Sequence, residues 1–514
     1  MPTARPLKRG VPLPVLGLDV SKPAEFADPR ATPDCLNMEL YRTTIRKRIG
    51  TVALGASLGE RVMAFSQLKI GANTYVVRVG LTKVELLNQA AGTWASIASA
   101  PLTGTTSDRF AFAFPILTGA KIMTFTNGVD PIRKYTGTGN DAALGGSPPL
   151  CKFMVGFRGY LVLAYVVSGG NTYPTRLQWP DTAAPETWGS GNAGTLDLVE
   201  DGGDITGLGT LGDFITVHKD NCIYVGTLVT TSDIFRFDRK STGIGAASND
   251  TIQNIPTGEQ IFLARDGIHL FNGITAPLIQ SPIMDEMREQ MNPQYIVKSW
   301  GLVVRELDEY WVGVPLGSDV EPTTIYKYNY RTGQVYKDSR TNICAASTYE
   351  TSTQLTWNDK TGQWDSDLTT WNDVIYSALN PTVILGDNTG ITTRRSPVYK
   401  DNAGAINSYW TSKDFSVSDL GSDEMGRYVR WTSIQVWAKG NTLKLEYSTD
   451  QGLTWTTVAT FTLTSVYPLD TAPLYGYFDV LSTLIRFRFS NSVLNESFTL
   501  EKFTLTAIPC EVRQ

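Results

Sequence analysis

The stretch from Tyr310 to Tyr336 reads YWVGVPLGSDVEPTTIYKYNYRTGQVY and decides how the rest of the chain is interpreted. Its two runs, YWVGV and TTIYKYNY, consist largely of β-branched and aromatic residues, which fit a pleated, half-buried strand surface. The segment Pro315 to Pro322 between them is rich in Pro, Gly, Ser and Asp and is expected to be a loop. Gly333 then allows a tight turn into a further strand at Val335-Tyr336. The stretch predicts three antiparallel strands, nearly a blade of a β-propeller.

The same plan of strand, Gly turn and strand recurs elsewhere in the chain. It occurs at Thr74 to Trp94, Asn221 to Asp238, Ile261 to Gly273, Leu355 to Trp364 and Leu443 to Trp455. The spacing is irregular, unlike the fixed period of a WD-repeat array. A β-sandwich would show similar hairpins, but for the middle of the chain we favour a divergent β-propeller.

The composition is that of a large, turn-rich, all-β protein. Of 514 residues, 42% are hydrophobic, only 18% are charged, and 46 are glycine. No apolar run approaches the roughly 18–20 residues of a transmembrane helix. Pro12 and Pro14 interrupt the apolar part of the N-terminal stretch, so we expect no signal peptide.

Cysteine, histidine and charge argue against several classes of protein. The five cysteines stand singly, at Cys35, Cys151, Cys222, Cys344 and Cys510. This pattern argues against a disulfide framework and against a zinc ribbon. Two histidines leave little material for histidine chemistry, and a net charge of −5 is unlike a basic nucleic-acid-binding protein. We therefore expect no metal, no cofactor and no catalytic residues.

The pattern divides the chain into four parts. Residues 1–55 are predicted to form an extended N-terminal arm because seven prolines precede residue 35. Residues 56–355 are assigned to the propeller, and residues 356–414, with Trp357, Trp364 and Trp371, to a segment that bridges or closes it. Residues 415–514 show six alternating strands and are predicted to be a C-terminal β-sandwich of jelly-roll type.

Two local features stand out within these parts. The run from Ser281 to Asn292 is predicted to be a helix, with Ser281 as its cap and Pro293 beyond its end. The basic triplet Arg46-Lys47-Arg48 is interpreted as a solvated turn ahead of the first blade rather than as a phosphate site.

The sequence STDQGLTW matches the Asp-box, S-x-D-x-G-x-T-W, known from sialidases and other propellers. The motif residues are Ser448, Asp450, Gly452 and Trp455. We expect a structural turn in which the Asp450 carboxylate accepts backbone N–H groups and Gly452 takes a positive φ. A sialidase would also need an arginine triad, a tyrosine nucleophile with a glutamate, and an acidic aspartate, which no spacing in this chain assembles.

Several stretches, taken in order, resemble one protein family. They are Gly17 to Gly50, Phe125 to Gly137, Arg176 to Trp188, Asp204 to Thr227, Phe262 to Gly273 and the opening YWVGVP run. Together they extend from about Gly17 to Trp371. This order resembles the tail hub or nozzle protein of short-tailed, double-stranded DNA bacteriophages.

The resemblance implies a structural virion protein and not an enzyme. It implies a homohexameric ring that closes the tail, contacts a tail adaptor ring, anchors fibres or spikes and conducts DNA during ejection. It also implies assembly in the host cytoplasm and a final location in the virion tail. The alternative is a carbohydrate-binding or sialidase-like β-propeller, which fold alone does not distinguish.

A channel that releases DNA should not hold it. Each Lys or Arg contact to a phosphate releases counterions and adds affinity, so we expect an acidic or neutral inner wall. The candidate channel-lining residues are Glu200, Asp201, Asp204, Asp308 and Glu309.

Overall fold

The computed structural model describes residues 6–11, 15–41, 44–71, 73–229, 234–350, 381–421, 426–463 and 473–509. These residues are almost all in β-strands and turns, with a single α-helix among them. They form a β-propeller and a β-sandwich, so the predicted all-β fold class is confirmed. The residues Trp357, Trp364 and Trp371, the hairpin predicted at Leu355 to Trp364, and Cys510 lie outside the described residues.

The N-terminal segment contributes seven short strands. They are β1 (Leu7–Val11), β2 (Gly17–Leu18), β3 (Ala31–Thr32), β4 (Cys35–Leu36), β5 (Met38–Tyr41), β6 (Thr44–Lys47) and β7 (Thr51–Ala53).

The propeller follows, with seven blades in the part of the chain that the structure describes. Blade 1 contains β8 (Ala64–Ile70), β9 (Asn73–Val79), β10 (Val84–Asn88) and β11 (Thr93–Ser96). Blade 2 contains β12 (Ala111–Ala113), β15 (Met123–Thr126), β16 (Arg133–Tyr135) and β17 (Ala142–Ala143), with the hairpin β13 (Ile116–Leu117) and β14 (Ala120–Lys121) between its first two strands. Blade 3 contains β18 (Leu150–Phe157), β19 (Tyr160–Ser168), β20 (Asn171–Trp179) and β21 (Gly194–Asp197).

The remaining blades are built in the same order from inner to outer strand. Blade 4 contains β22 (Ile205–Leu211), β23 (Phe214–Lys219), β24 (Cys222–Leu228) and β25 (Phe235–Thr242), and blade 5 contains β26 (Gln253–Asn254), β27 (Gln260–Ala264) and β28 (Gly267–Phe271). Blade 6 contains β29 (Trp300–Val304), β30 (Glu309–Val314), β31 (Thr324–Asn329) and β32 (Val335–Ser339). Blade 7 contains β33 (Ile343–Tyr349), β34 (Thr382–Asp387) and β35 (Thr392–Arg395).

Blade 6 contains the stretch from Tyr310 to Tyr336. The predicted meander is present as β30, β31 and β32, and β29 adds the fourth strand. Gly333 has φ +77°, as its turn requires. The Asn329 side chain supports this turn by accepting the N–H groups of Arg331 and Thr332 at 3.1 and 3.0 Å.

The ring of blades is closed by the N-terminal segment. The inner strand of blade 7, β33, contacts the inner strand of blade 1, β8. On the outside of blade 7, β7 pairs antiparallel with β35, with Thr51 opposite Arg395 and Ala53 opposite Thr393. The first blade and the last are thus joined by one continuous piece of chain, while the segment predicted to bridge or close the propeller supplies β34 and β35.

The hairpin β36 (Lys400–Asp401) and β37 (Gly404–Ala405) extends the sheet of blade 7, because β36 pairs with β7. The sandwich contains the remaining strands, which are β38 (Ser408–Thr411), β39 (Val429–Gly440), β40 (Thr442–Ser448), β41 (Thr456–Thr462), β42 (Leu474–Ser482), β43 (Arg486–Asn491) and β44 (Phe498–Pro509). One sheet has the order β42-β39-β44-β6-β5, with β1 also paired to β44, and the other has the order β4-β38-β43-β40-β41.

One of the alternating strands predicted in the sandwich contains the run IRFRF, from Ile485 to Phe489. Ile485, Phe487 and Phe489 are fully buried between the two sheets, where Phe489 contacts Trp410 and Phe503. Full burial of an aromatic or aliphatic side chain contributes about 1.5–3 kcal/mol, so each of these three residues helps to stabilise the sandwich.

The N-terminal arm is more deeply integrated than the sequence suggested. It packs across blade 6, where the N–H of Asn37 donates to the carbonyl of Lys337 at 2.9 Å. It also supplies β1, β5 and β6 to one sheet of the sandwich and β4 to the other. The basic triplet Arg46-Lys47-Arg48 is therefore not a solvated turn, because Lys47 and Arg48 are buried between the two domains.

The α-helix, α1, spans Met284–Gln290 and is shorter than the predicted run from Ser281 to Asn292. The Ser281 hydroxyl does not cap it; the Ser281 carbonyl instead accepts the N–H of Met284 at 3.1 Å. Ile283, Met287 and Met291 are buried, so the predicted apolar face packs into the protein. The described residues also form short 3-10 helices at Ala24–Phe26, Asn249–Thr251, Ile296–Lys298, Arg305–Leu307 and Val417–Leu420.

Candidate functional sites: the interdomain junction and the central cavity

The first candidate site is the junction where the arm, blade 6 and the hairpin at β36 meet. Arg48 lies at its centre and is 2% exposed. Its guanidinium donates to Oδ1 of Asp401 at 3.0 Å and to Oδ1 of Asn37 at 2.8 Å, and its Nε lies 3.4 Å from Oδ2 of Asp338. Arg340 also contacts Asp401, at 3.1 Å. One planar cation thus contacts three separate parts of the chain.

The electrostatics of the junction favour the ionised form of Asp401. Burial alone would raise the pKa of Asp401, but Arg340 and Arg48 outweigh it and hold that pKa below its ordinary value. The carboxylate therefore stays ionised next to the guanidinium groups.

A second buried group continues the junction along blade 6. The ammonium of Lys327 lies 2.8 Å from Oδ1 of Asp338 and donates to the carbonyl of Met38 at 2.8 Å. In the arm, Glu39 lies 3.4 Å from Arg395 of blade 7 and also pairs with Arg46. Burial opposes ionisation of Glu39, but the two guanidinium groups outweigh it and lower its pKa to about 2.

The junction fixes how the two domains sit on each other. A buried ion pair adds little net stability over an apolar pair, but removing one partner leaves an uncompensated charge. The Arg48–Asp401 and Glu39–Arg395 contacts each require one relative placement of the arm and the propeller. The two contacts therefore tie the arm to the sheet of blade 7.

The predicted acidic residues near blade 4 are exposed or paired. Glu200 and Asp204 are exposed, and Asp201 pairs with Arg239. Asp201 also accepts the hydroxyl of Tyr224, and this bond lowers the pKa of Asp201. These residues lie between the outer strand of blade 3 and the inner strand of blade 4, and none of them lines the central cavity described below.

The other predicted pair is divided between surface and interior. Asp308 lies in the turn before β30, with φ +55°, and pairs with Arg331 at 3.0 Å. Glu309 is 2% exposed and accepts the indole N–H of Trp311 at 2.6 Å, so it is an interior residue and the prediction that it lines a channel is wrong. Burial raises the pKa of Glu309 to about 7, more than nearby Lys327 lowers it.

The Asp-box residues lie in the turn between β40 and β41. Asp450 accepts the N–H and the hydroxyl of Thr454 at 2.9 and 2.6 Å, and Ser448 accepts the N–H of Gly452 at 2.8 Å. Gly452 has φ +94°, and the ring of Trp455 packs under the guanidinium of Arg488 at 4.3 Å. The Ser448 hydroxyl and the Asp450 carboxylate are thus both engaged within the turn.

The second candidate site is the cavity on the propeller axis, with a volume of about 580 Å³. All seven blades or their leading segments contribute to its wall. The wall includes several small residues on the inner strands, among them Ala111, Gly209, Gly301, Ala345 and Ala346. No motif in the sequence marked this cavity; the one available signal was the row of small residues inside strands that are otherwise apolar.

Charge within this cavity is balanced. Arg109 donates through Nε to Oδ2 of Asp250 at 2.8 Å and reaches the carbonyl of Cys344 at 3.3 Å. No other charged residue lines the described wall. The cavity therefore presents dipoles rather than net charge.

The cysteines and His218 lie in the interior of the protein. Four cysteines, at positions 35, 151, 222 and 344, are free and buried. His218 is fully buried and shares a hydrogen bond of 2.8 Å with Gln260. Over the described ranges, no group of three or more His, Cys, Asp or Glu side chains is placed to hold a metal ion, and no helix is long and apolar enough to cross a membrane.

Comparison with known proteins adds no statement about function. No protein-family model and no curated protein matches the sequence. Among solved structures, an extracellular domain from B. thetaiotaomicron is similar with a TM-score of 0.41 and 10% identity; the match covers 75% of this chain but only 42% of that one. BamB from Moraxella catarrhalis matches with a TM-score of 0.36 and 10% identity, over 70% of this chain and 93% of that one. PorZ from Porphyromonas gingivalis matches with a TM-score of 0.35 and 12% identity, over 80% of this chain and 46% of that one.

Proposed function

We propose that this protein is a structural component of a bacteriophage tail, a hub or nozzle, and not an enzyme. The proposal rests on the ordered resemblance of its sequence segments to that family and on one structural observation. That observation is the junction, in which the arm passes between the two domains and pairs with both.

Such a junction suits a part that must hold its shape under force. Pulling the sandwich from the propeller would separate strand pairs and expose Arg48, Glu39 and Asp338, which are each at most 2% exposed. A charge that becomes exposed to water is stabilised by hydration. A buried charge whose partner has been pulled away stays uncompensated in the interior, which costs free energy. The two domains would therefore move as one body when DNA is driven through a tail.

In this proposal the working form is a homohexameric ring. The ring closes the virion tail, contacts an adaptor ring and anchors fibres or spikes, after assembly in the host cytoplasm. A cavity of about 580 Å³ has the size of a small-ligand site, so duplex DNA would pass between copies and not along the axis of one propeller. The DNA would slide past the wall without specific binding.

Electron microscopy of the purified protein tests the proposal, alone and with the adaptor ring. We expect sixfold rings, and we expect antibodies to the chain to label the tail of intact virions. Monomers at micromolar concentration that do not assemble on the adaptor, together with an unlabelled tail, would contradict it. Duplex binding with a steep dependence on salt would contradict the sliding wall in particular.

A further inference from the structure

The central cavity has the chemistry of a binding site that the proposed tail function does not use. Five side-chain amides line it, together with half-buried aromatic rings at Phe112 and Phe114. The amides belong to Gln67, Asn249, Gln253, Asn254 and Gln260. A concave site of this size with a few convergent polar groups is the usual form of a small-molecule site.

Part of this polar wall is occupied by the protein's own hydrogen bonds. Gln260 is fully buried and contacts His218 at 2.8 Å, and Asn254 donates to the carbonyl of Thr210 at 2.7 Å. These two amides shape the wall and are not free to bind a ligand.

Other side chains of the cavity wall have hydrogen-bonding atoms that are available to a ligand. Gln67 accepts the N–H of Glu350 through Oε1, and Asn249 accepts the N–H of Leu208 through Oδ1, which leaves each NH₂ group without a partner among the described residues. Gln253 makes one long contact through Nε2, at 3.5 Å, and its Oε1 is unused within the same part of the chain. Asp250 binds Arg109 through Oδ2 and keeps Oδ1. Donors and acceptors are thus both available.

This combination selects a class of ligand. A phosphate, a sulfate or a sialic acid needs a surplus of cations, and the one arginine of the wall is already neutralised by Asp250. A purely apolar ligand would leave the amides unsatisfied. A neutral sugar satisfies both requirements, because each hydroxyl donates and accepts and each ring has an apolar face that can cover an aromatic side chain.

We propose that the central cavity of the propeller binds a neutral, short saccharide. Gln67, Asn249 and Gln253 contact its hydroxyl groups, and Phe112 or Phe114 packs on a ring face. The neutral pair of Arg109 and Asp250 forms one side of the site. The site needs only one chain, so it is independent of whether the protein forms a tail ring.

Titration calorimetry on the full-length protein tests the site, with maltose, cellobiose, lactose and N-acetylglucosamine as probes and sialyllactose as the charged comparison. We expect saturable binding of at least one neutral probe and weaker binding of sialyllactose. Gln253→Ala should weaken the neutral probe about three- to tenfold, the effect of one lost hydrogen bond. Gln435→Ala, the same change on β39 of the sandwich, should leave it unchanged.

A second variant tests the location directly. Ala346→Phe fills the cavity and should abolish binding while the thermal transition stays within a few degrees of the parent. If Ala346→Phe does not fold, Gln253→Ala against Gln435→Ala decides. Binding of none of the neutral probes, binding that both Ala346→Phe and Gln253→Ala leave intact, or preference for sialyllactose would each overturn the proposal.

Discussion

The guanidinium of Arg48 donates a hydrogen bond of 3.0 Å to Asp401, a residue 353 positions later in the chain. Arg48 is 2% exposed, whereas the Asp401 side chain is partly exposed. It connects the N-terminal arm to the hairpin that follows the last blade. Its contribution to stability can be measured.

Arg48→Met should destabilise the protein by about 1.5–3 kcal/mol, because it keeps most of the side-chain volume but removes the charged hydrogen bonds to Asp401 and Asn37. Arg340 and Lys327 remain as cationic partners of Asp401 and Asp338. Urea unfolding, followed by tryptophan fluorescence, measures the change. Arg30→Met is the control, since Arg30 forms a surface pair with Asp28 and that pair should contribute nothing measurable. Equal effects of the two substitutions would show that the junction is not a buried ion-pair site.

Glu309→Gln should make the protein more stable at pH 8 and should leave it unchanged at pH 4. Burial raises the pKa of Glu309 in the folded protein to about 7, from an ordinary value of 4.5. The folded state therefore binds more protons than the unfolded state between these values, and stability falls as the pH rises through that window. The neutral amide removes this loss, which is roughly 3 kcal/mol at most.

Unfolding of Glu309→Gln and of the parent protein at a series of pH values gives the difference curve. It should be flat below pH 4, rise between about pH 4.5 and 7, and be flat above. A difference that is independent of pH would mean that Glu309 is ionised in the folded protein.

His218→Asn should have the opposite dependence. Burial lowers the pKa of His218 to about 4, against an ordinary value of 6.5, although its bond to Gln260 opposes this. The unfolded state binds more protons between these values, so the parent protein loses stability as the pH falls from 6.5 to 4. The variant lacks this loss of roughly 3 kcal/mol, and the difference between the two unfolding curves isolates it from the titration of the carboxylates. The same slope in both proteins would contradict a neutral, buried His218.

Gly452→Ala should cost about 1–2 kcal/mol, because the Asp-box turn holds this residue at φ +94°. A Cβ would also lie 3.1 Å from Nη1 of Arg486. The control is Gly156→Ala in β18, where φ is not positive and the nearest atom is at 3.5 Å, an ordinary contact. Thermal melts should separate the two; a Gly452→Ala protein as stable as the control would show that the turn is not strained.

The sequence predictions that were confirmed rest on residue patterns within one strand or one turn. The blade at β30, β31 and β32 follows from aromatic runs and from Gly333, and the alternation around Phe487 follows from the pleat of one strand. Each of these signals lies within a few residues. The helix was predicted too long because Ser281 fits a cap position and Pro293 fits a stop, whereas the helix begins at Met284 and ends at Gln290.

The junction and the cavity could not be predicted in this way. Lys47 looked like part of a solvated basic turn, but its ammonium donates to Asn491 at 2.8 Å, across nearly the whole length of the chain. Glu309 looked like a loop carboxylate, yet it follows the turn and points into the interior. The cavity is defined by all the blades together, so no single segment encodes it. These features arise from pairings between distant segments, which a pattern in one window does not contain.

The pairing of β1 with β44 and of β7 with β35 has a consequence for synthesis. Residues 7–53 leave the ribosome before the segments with which they pair, and the last of these segments ends at position 509. At about 5–20 residues per second, the arm waits on the order of half a minute or longer before its last partner strand exists. During that time its strand edges are open to other nascent chains. Yield should therefore depend on translation rate and on chaperones that shield those edges, more than the stability of the finished protein would suggest.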